Sequence, residues 1–328
     1  MSRVLLICGS LNQTTMTHAV GKVLSARHDC AYAPYWVDGA LRRLKSTGLL
    51  DRTVAGGQFR RMTDGYLRDH GLPIAEEGRG GPWDLVLTCS DLVVQKGIRS
   101  RPIVLLQEGM TDPENLAFHL VRALGLPRWL ASTSTTGLSG AYRRFCVASE
   151  GYRRLFERKG APADRLVVTG IPNFDDCASY LANDLPHRGH VLVATSDGRE
   201  TFKRDDRRAF LRKAVAVAAG RPLLFKLHPN ESWERARREI ADEAPGALVL
   251  TEGNTNHMVA NASAVVTQWS SVVFVGLALG KECHSYFDLD ELKRLLPLQN
   301  GGTSARTIAA VCEEVLAQAA PGAARRAA

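Results

Sequence analysis

The chain has 328 residues, 45% of them hydrophobic and 23% charged, which is typical of a soluble globular protein with room for two domains. No apolar run is long enough to cross a bilayer, and the short apolar start MSRVLLIC lacks the cleavage site of a signal peptide. The net charge of +8 suits an anionic partner, but no basic stretch is interleaved with aromatic residues, so we expect no nucleic acid.

Short apolar runs alternate with helical patterns along the first half of the chain. Strands are predicted at residues 3–8, 83–90, 101–109, 143–150 and 164–170. Helices are predicted from about Thr14 to Ala26 and over GYRRLFERKG, where Gly160 ends the pattern. The segment YLANDLPHRG that follows is polar and contains a proline, which indicates a link between two domains.

The alternation starts again in the second half. Strands are predicted at residues 190–196, 222–229, 246–253, 262–271 and 282–288, with helices at 205–219, 232–243, after 253 and from 272. Alternation of strand and helix predicts parallel sheets that are covered by helices on both faces. We therefore expect an α/β protein whose two Rossmann-like domains face each other across a cleft.

The domain boundaries follow from this pattern. We predict an N-terminal domain at residues 1–181, a linker at 182–189 and a C-terminal domain at 190–316. The low-complexity end AQAAPGAARRAA, residues 317–328, is predicted to be disordered. The seven cysteines are scattered and include no CxxC pair, which predicts reduced thiols in a cytoplasm and no zinc site.

The carboxyl ends of the strands are the places to look for a site, because ligands of open parallel sheets lie beyond them. In the second half these ends are rich in hydroxyls, and hydroxyls and N–H groups at a helix start bind phosphate. The imidazole of His228, at the end of LLFKLHP, would add a donor to the same phosphate. The candidate residues are Gly9, Ser10, Asn12, Gln13 and Glu108 in the first half, and Thr195, Ser196, His228, Glu252, Asn254, Ser270 and Ser271 in the second.

Each of these features also has a purely structural interpretation. Ser270 and Ser271 could be an ordinary helix N-cap pair, and His228 could be a loop histidine with internal partners. Glu108 could belong to an ordinary turn. Lys226 lies two residues before His228 on the same face of the strand, where it could add positive charge or pair within the fold.

One short motif suggests a metal. The DLD at residues 288–290 matches a metal-binding DxD, but the run DLDELKRLL is explained more simply by a capped helix. No histidine has a second ligand at a metal-binding spacing. We therefore predict no metal site, with Asp288 and Asp290 as the fallback, and no cofactor.

Taken in order, these pieces resemble the GT-B superfamily of glycosyltransferases. Bacterial sialyl-, polysialyl- and Kdo-type transferases carry an acidic-acidic-Gly motif, then His-Pro, then Ser-Ser. Here QEG (107–109), HP (228–229) and WSS (269–271) follow in that order, with Gln107 in place of the first acid. The KLHP and SSVVF runs are also similar to those of CDP-glycerol glycerophosphotransferases, although Gln268 and Trp269 replace their usual acidic and tyrosine residues.

A third resemblance is to the non-hydrolysing UDP-GlcNAc 2-epimerases, through TGIPNFD (169–175) and HPN (228–230). In those enzymes a glutamate pair that holds the ribose follows the phosphate-binding glycines. This chain has Phe274 and Val275 at the corresponding positions. That difference argues against epimerase activity.

The resemblance to the transferases implies a role for each candidate residue. Glu108 would be the general base that takes a proton from the acceptor hydroxyl as its oxygen attacks the anomeric carbon. His228, Ser270 and Ser271 would neutralise the leaving nucleotide phosphate without a metal. The remaining residues would close on the donor (Thr195, Ser196), bracket its base (Glu252, Asn254) or lie on the acceptor side (Gly9, Ser10, Asn12, Gln13).

The resemblance thus implies an inverting glycosyltransferase that moves a sugar from a nucleotide-activated donor, with CMP or UDP as carrier, to a glycan or lipid-linked acceptor. Such an enzyme would serve bacterial surface polysaccharide synthesis. A CDP-polyol phosphotransferase is the second hypothesis, and a catalytically silent nucleotide-sugar-binding scaffold, which would not need Glu108, is the third. We expect a cytoplasmic protein at the inner face of the membrane, with a peripheral contact to anionic lipid.

Overall fold

The computed structural model describes residues 1–47, 54, 56–196, 198–200 and 205–319. The chain forms two compact units. The first comprises Met1–Asp175 together with the C-terminal segment that begins at Asn300, and the second comprises Asp176–Gln299. None of the helices in the described part of the chain is both long and apolar enough to span a bilayer.

The first unit is built on a six-stranded sheet in which all neighbouring strands are parallel. Its strands are β1 (Arg3–Cys8), β2 (Asp29–Pro34), β3 (Leu85–Thr88), β4 (Ile103–Leu106), β5 (Arg144–Val147) and β6 (Leu166–Val168). They lie in the order β2-β1-β3-β4-β5-β6, and in the middle of the sheet Leu6 pairs with both Tyr32 and Leu87. The central strands are buried along their length, as their near-continuous apolar sequences require.

Five helices of the first unit follow its strands: α1 (Leu11–Leu24), α2 (Ala40–Ser46), α3 (Gly57–Asp69), α4 (Leu116–Leu124) and α5 (Glu150–Lys159). The caps of α5 explain its length. The Ser149 hydroxyl accepts from the Tyr152 N–H at the start, and Gly160, with a φ of 104°, ends the helix in a left-handed conformation. The predicted end of this helix at Gly160 is thus confirmed.

The second unit contains a five-stranded sheet, also wholly parallel, in the order β11-β10-β7-β8-β9. Its strands are β7 (Val191–Ala194), β8 (Leu223–Lys226), β9 (Leu248–Leu250), β10 (Ala264–Thr267) and β11 (Glu282–His284). The helices are α6 (Arg207–Ala218), α7 (Trp233–Glu243), α8 (Thr255–Asn261), α9 (Val272–Ala278) and α10 (Leu289–Leu295). Phe210 of α6 and Ile240 of α7 pack with Phe225 of β8 in one apolar core.

The last helix, α11 (Ser304–Ala319), belongs to the first unit. It packs on α1, and its start is fixed by Asp175, whose carboxylate accepts from the Ser304 N–H at 2.9 Å. This differs from the predicted C-terminal domain at 190–316, because periodicity shows that a helix is amphipathic but not which sheet it covers. Of the predicted disordered tail, residues 317–319 continue α11, and the rest lies outside the described residues.

The predicted fold class, two α/β units with parallel sheets, is confirmed. All ten predicted strands are present; β1 has the predicted bounds, and the other nine are shorter because the ends of the predicted segments are loops. Strand β2 and helices α2, α3 and α11 were not predicted. The sequence of β2, DCAYAP, begins with a charged residue, ends with proline and lies at the sheet edge, where such residues are tolerated.

Candidate functional site

Glu108 lies just beyond β4, and its carboxylate is held by two side chains from the start of α1. One oxygen accepts from the Ser10 hydroxyl at 2.8 Å, and the other accepts from the Gln13 amide at 2.5 Å. Ser10 is also the N-cap of α1, since its oxygen accepts from the Gln13 N–H. A half-buried carboxylate with neutral hydrogen-bond donors on both oxygens thus lies at the carboxyl edge of the first sheet.

The other predicted acceptor-side residues surround this carboxylate. The Asn12 amide donates to the Glu108 carbonyl at 3.3 Å. A side chain at Gly9 would force the Gln13 amide to move, because its Cβ would lie 1.9 Å from the Gln13 amide oxygen. Asn173, in the loop after β6, donates to the Asn12 carbonyl at 3.1 Å and was not predicted. The structure therefore brings all four predicted residues together with Glu108.

Gln107, which replaces an acid in the resemblance, has a structural role. It is fully buried, donates to the Gly109 carbonyl at 2.7 Å and accepts from the Ala148 N–H at 2.8 Å. Its amide can both donate and accept, as these two bonds require, whereas an ionised carboxylate can only accept. Gln107 therefore joins the ends of β4 and β5 and fixes the turn that presents Glu108.

The predicted residues of the second unit lie along one edge of its sheet. The order β10-β7-β8-β9 places the loops with Ser270 and Ser271, then Thr195 and Ser196, then His228, and then Glu252 and Asn254 side by side. All strands are parallel, so these loops share the carboxyl edge. Two strand spacings, roughly 10 Å, separate the end of β8 from the end of β10.

The hydrogen bonds of His228 define which ring nitrogen carries its hydrogen. The Asn230 N–H donates to His228 Nδ1 at 3.2 Å, so Nδ1 is unprotonated and Nε2 carries the hydrogen. The His228 backbone is held by its N–H bond to the Thr195 hydroxyl at 3.0 Å and by the Trp233 indole, which donates to the His228 carbonyl. An oriented imidazole with Nε2–H as a donor suits an anionic oxygen.

Thr195 and Ser196 were predicted to close on the donor, and the structure buries both side chains. The Thr195 hydroxyl donates to the Glu231 carboxylate at 2.6 Å and accepts from the His228 N–H. The Ser196 hydroxyl donates to the Gln268 amide oxygen at 3.0 Å. Both hydroxyl hydrogens are thus used within the protein, so these side chains support the neighbouring loops.

A buried ionic network lies behind these loops, and none of its charged residues was predicted as part of the site. Glu231 and Arg207 form an ion pair with 2.6 Å between carboxylate oxygen and guanidinium nitrogen, and both side chains are almost fully buried. Burial raises the pKa of Glu231, and the charge of Arg207 opposes this rise. Asp205 contacts Arg207 at 3.2 Å and accepts from the Gln268 amide at 2.5 Å. The network therefore links the ends of β7, β8 and β10.

Ser270 and Ser271 lie at the start of α9, as predicted. Ser271 is the N-cap residue, but its side chain makes no capping hydrogen bond, whereas the Ser270 hydroxyl accepts from the Val272 N–H at 3.3 Å. Both residues are half-buried. The exposed indole of Trp269 packs edge-on against Tyr286 and Phe287 beside them.

The loop after β9 contains Glu252 and Asn254, both of which are exposed. The Asn254 side chain caps α8 by accepting from the N–H groups of Asn256 and His257. Lys226 is buried and donates to the carbonyls of Leu227 and Thr251 at 2.8 and 3.0 Å. Burial lowers the pKa of Lys226, and the negative charge of Glu252 opposes this. Of the two interpretations of Lys226, the structure thus shows the one in which it pairs within the fold.

The DxD match at residues 288–290 is a helix cap. The Asp288 carboxylate accepts from the N–H groups of Asp290 and Glu291 at the start of α10, and these bonds lower the pKa of Asp288. Across the described residues, no three His, Cys, Asp or Glu side chains are grouped as metal ligands. All seven cysteines are buried and unpaired.

Sequence reasoning missed the residues that support the site from distant parts of the chain. They are Asn173, Asp205, Arg207, Glu231 and Gln268. Glu231 ends the run LLFKLHPNE, and a carboxylate directly after a buried strand was an available signal. The others carried no signal, because their partners lie 63 to 161 positions away or, for Arg207, in the loop of another strand.

No family model matches the chain, and no curated protein matches its sequence. Solved structures do share its fold. The UDP-GlcNAc 2-epimerase of Neisseria meningitidis, solved with UDP-GlcNAc, is 11% identical, with 95% of this chain and 100% of that chain covered and a TM-score of 0.56. A putative UDP-N-acetylglucosamine 2-epimerase from Listeria monocytogenes is also 11% identical, over 97% and 90% of the two chains, with a TM-score of 0.53.

The wall teichoic acid polymerase TagF is a third similar structure. A variant of it is 11% identical, with 97% of this chain and 89% of that chain covered and a TM-score of 0.51. At these identities the likeness shows the fold alone. It is the GT-B-like architecture that the sequence motifs implied.

Proposed function

We propose that the protein is a transferase that moves a sugar from a nucleotide-activated donor to the hydroxyl of a glycan or lipid-linked acceptor. The observation that carries the proposal is the oriented imidazole of His228 on the same sheet edge as Ser270 and Ser271. Fold likeness to a 2-epimerase solved with UDP-GlcNAc and to a teichoic acid polymerase supports a nucleotide-linked substrate.

The second unit would hold the donor. His228 Nε2–H would donate to a phosphate oxygen, and Ser270 and Ser271 would add hydroxyl and backbone donors at the start of α9. Thr195, bonded to both His228 and Glu231, would keep the imidazole loop in position. Glu252 and Asn254 would lie near the base. These donors would stabilise the charge that develops on the leaving phosphate, without need of a metal.

The first unit would supply the base. Glu108 would accept the proton of the acceptor hydroxyl as its oxygen bonds to the anomeric carbon and the nucleotide leaves with its bond electrons. Ser10 and Gln13 would orient the carboxylate, since each donates to one of its oxygens. Gly9 and Asn12 would line the acceptor side. The neutral partners would let Glu108 gain and lose a proton without breaking an ion pair.

Two alternatives share parts of this site. Epimerase activity is disfavoured because Phe274 and Val275, in place of the expected glutamates, are buried apolar residues of α9. A CDP-polyol phosphotransferase would use the same His228 and serines, and the fold likeness to the teichoic acid polymerase favours it as the second candidate. In that reaction phosphorus is attacked, and CMP leaves.

A nucleotide panel tests the proposal. We expect CMP, CDP, UDP or GDP to raise the melting temperature of the wild type, because a ligand of the folded state stabilises it by about 2.7 kcal/mol at 100 times its Kd. Product analysis with the matching donor in EDTA would then separate sugar transfer from transfer of a polyol phosphate. If none of the four nucleotides shifts the melting temperature, the protein lacks the proposed donor site. Loss of turnover in EDTA that magnesium restores would contradict the metal-independent reaction.

A further inference from the structure

Helix α4 is apolar on two faces, and the larger face is exposed. Phe118 and Val121 point into the first unit and are buried. Leu116, Leu120 and Leu124 recur every four residues on another side of the helix, with 75%, 45% and 66% of their surfaces exposed. A soluble helix normally places polar residues on such a face. The exposed leucine stripe therefore indicates a surface that something covers.

The chain beyond α4 extends the same apolar surface. Gly125 ends the helix in a left-handed conformation, and the segment that follows exposes Leu126, Trp129 and Leu130. We call these three residues and the three leucines of α4 the leucine face. Its backbone is well anchored, because Ala131 packs against Phe118. The exposure is thus a property of an ordered element.

A cavity of about 540 Å³ adjoins the leucine face and carries positive charge. Leu126 and Trp129 line one part of it, and Lys96, Arg99 and Arg128 line others, with Arg128 paired to the buried Asp91. Lys96 and Arg99 are exposed, and no carboxylate in the described part of the chain forms an ion pair with either. Asp38 is the acidic residue of the lining, and its carboxylate accepts from the Lys96 N–H. Cationic side chains thus lie directly beside exposed leucine and tryptophan.

We propose that the leucine face docks onto an anionic phospholipid bilayer, with lipid phosphate received by the cavity beside it. Apolar side chains next to cations match the acyl region and the charged headgroups of such a surface. Trp129 sits where the two meet, which is the preferred place of tryptophan at a membrane interface. The acidic residues Asp112 and Glu114 precede α4, at the opposite end from Trp129.

The charges favour a bilayer over a second copy of the chain. A symmetric dimer brings the same patch of both subunits together, so the cations Lys96 and Arg99 of both copies would lie in one interface. An anionic bilayer meets them with opposite charge, and the net charge of +8 adds a long-range attraction. The proposal does not depend on the donor chemistry, and it gives the expected membrane contact a defined surface.

Vesicle binding tests the proposal. We expect the full chain to co-sediment with vesicles of phosphatidylcholine and phosphatidylglycerol, and at least about 10-fold more weakly with phosphatidylcholine alone. Leu124→Glu should weaken binding by about 10-fold or more, because it removes apolar surface that the bilayer would bury and adds a negative charge. Lys96→Ala should weaken it about 5-fold. Leu181→Glu is the matched control, since Leu181 is 54% exposed but lies on the second unit. This variant should bind vesicles as the wild type does.

Quenching of Trp129 fluorescence by lipid measures contact of this residue with the bilayer, and a general loss of charge would not change it. Bromine-labelled lipid should quench the wild type, and Trp129→Phe should remove most of that quenching although four tryptophans remain. Nucleotide binding should be unchanged in Leu124→Glu. Nucleotide binding therefore tests the proposed donor site, and vesicle binding tests the leucine face separately. Equal vesicle binding by wild type and Leu124→Glu would overturn the proposal. If the wild type forms a dimer in lipid-free solution and Leu124→Glu dissociates it, the bilayer proposal is overturned and the leucine face is a dimer interface.

Discussion

At the carboxyl edge of the first sheet, Glu108 is half-buried and accepts hydrogen bonds from a hydroxyl and an amide, both of them neutral. At the same edge of the second sheet, Glu231 is buried and faces the guanidinium of Arg207. Protonation of Glu108 would leave no charge unbalanced, because its partners Ser10 and Gln13 are neutral. Protonation of Glu231 would leave the buried cation Arg207 with Asp205 as its remaining close carboxylate.

This difference separates two uses of a carboxylate. In the first unit the surroundings leave Glu108 suited to exchange protons with a substrate. In the second unit the ion pair of Glu231 and Arg207 supports Thr195, which in turn holds the backbone of His228. We therefore propose proton transfer at the first edge and ligand positioning at the second. Substitutions at the two edges should then change different measured quantities.

The largest expected effect is on turnover. Glu108→Gln should lower it by about 100- to 10,000-fold, because a general base contributes that much, while nucleotide affinity stays unchanged. The measurement is initial rate together with melting temperature on the same variant. Glu314→Gln, an exposed residue of α11, is the matched control. A near-normal rate with a lowered melting temperature would instead make Glu108 a cap for the turn after β4.

A large effect on stability is expected at the second edge. Glu231→Ala should lower the free energy of unfolding by about 1–3 kcal/mol, because it removes one of the two carboxylates that face the buried Arg207 and the acceptor of the Thr195 hydroxyl. Replacing both residues with apolar ones, as in Glu231→Leu with Arg207→Met, should restore only part of the loss, because the buried Asp205 would then lack its Arg207 partner. Urea unfolding measures both, with Glu243→Ala at an exposed ion pair as the control. An unfolding midpoint of Glu231→Ala equal to that of the wild type would show that the network does not stabilise this unit.

A smaller, pH-dependent effect is expected at the opposite edge of the second sheet. His190, just before β7, is buried, donates from Nε2 to the Met258 carbonyl and has no partner at Nδ1 among the described residues. Burial lowers the pKa of His190, so below its unfolded value of 6.5 the unfolded chain binds more protons. The melting temperature should therefore fall as the pH drops through 6.5, and less so in His190→Gln. Identical pH profiles for the two proteins would contradict this assignment.

The sequence predicted the parts of the molecule that depend on local patterns. The apolar centres of the strands, the end of α5 at Gly160 and the cap of α10 by Asp288 follow from residue types a few positions apart. The candidate positions at strand ends followed from a rule of parallel sheets, which requires no knowledge of contacts.

Contacts between distant segments could not be predicted. Asn12 and Asn173 are neighbours although 161 positions separate them, and neither has a local pattern that indicates the other. Thr195 and Ser196 have the residue types of a phosphate site, but their burial depends on Glu231 and Gln268 in other strands' loops. Residue types thus indicated which edge of the sheet carries the candidate site, while packing decided which side chains at that edge face outward.

The central claim, that His228 holds a nucleotide phosphate, is tested most directly by calorimetry with the nucleotide that stabilises the wild type. His228→Ala should weaken its binding by roughly 10- to 100-fold, because one hydrogen bond to a charged group is lost. His119→Ala and Glu108→Gln should bind as the wild type does. Equal affinity in His228→Ala and the wild type, with the same melting temperature, would contradict the account.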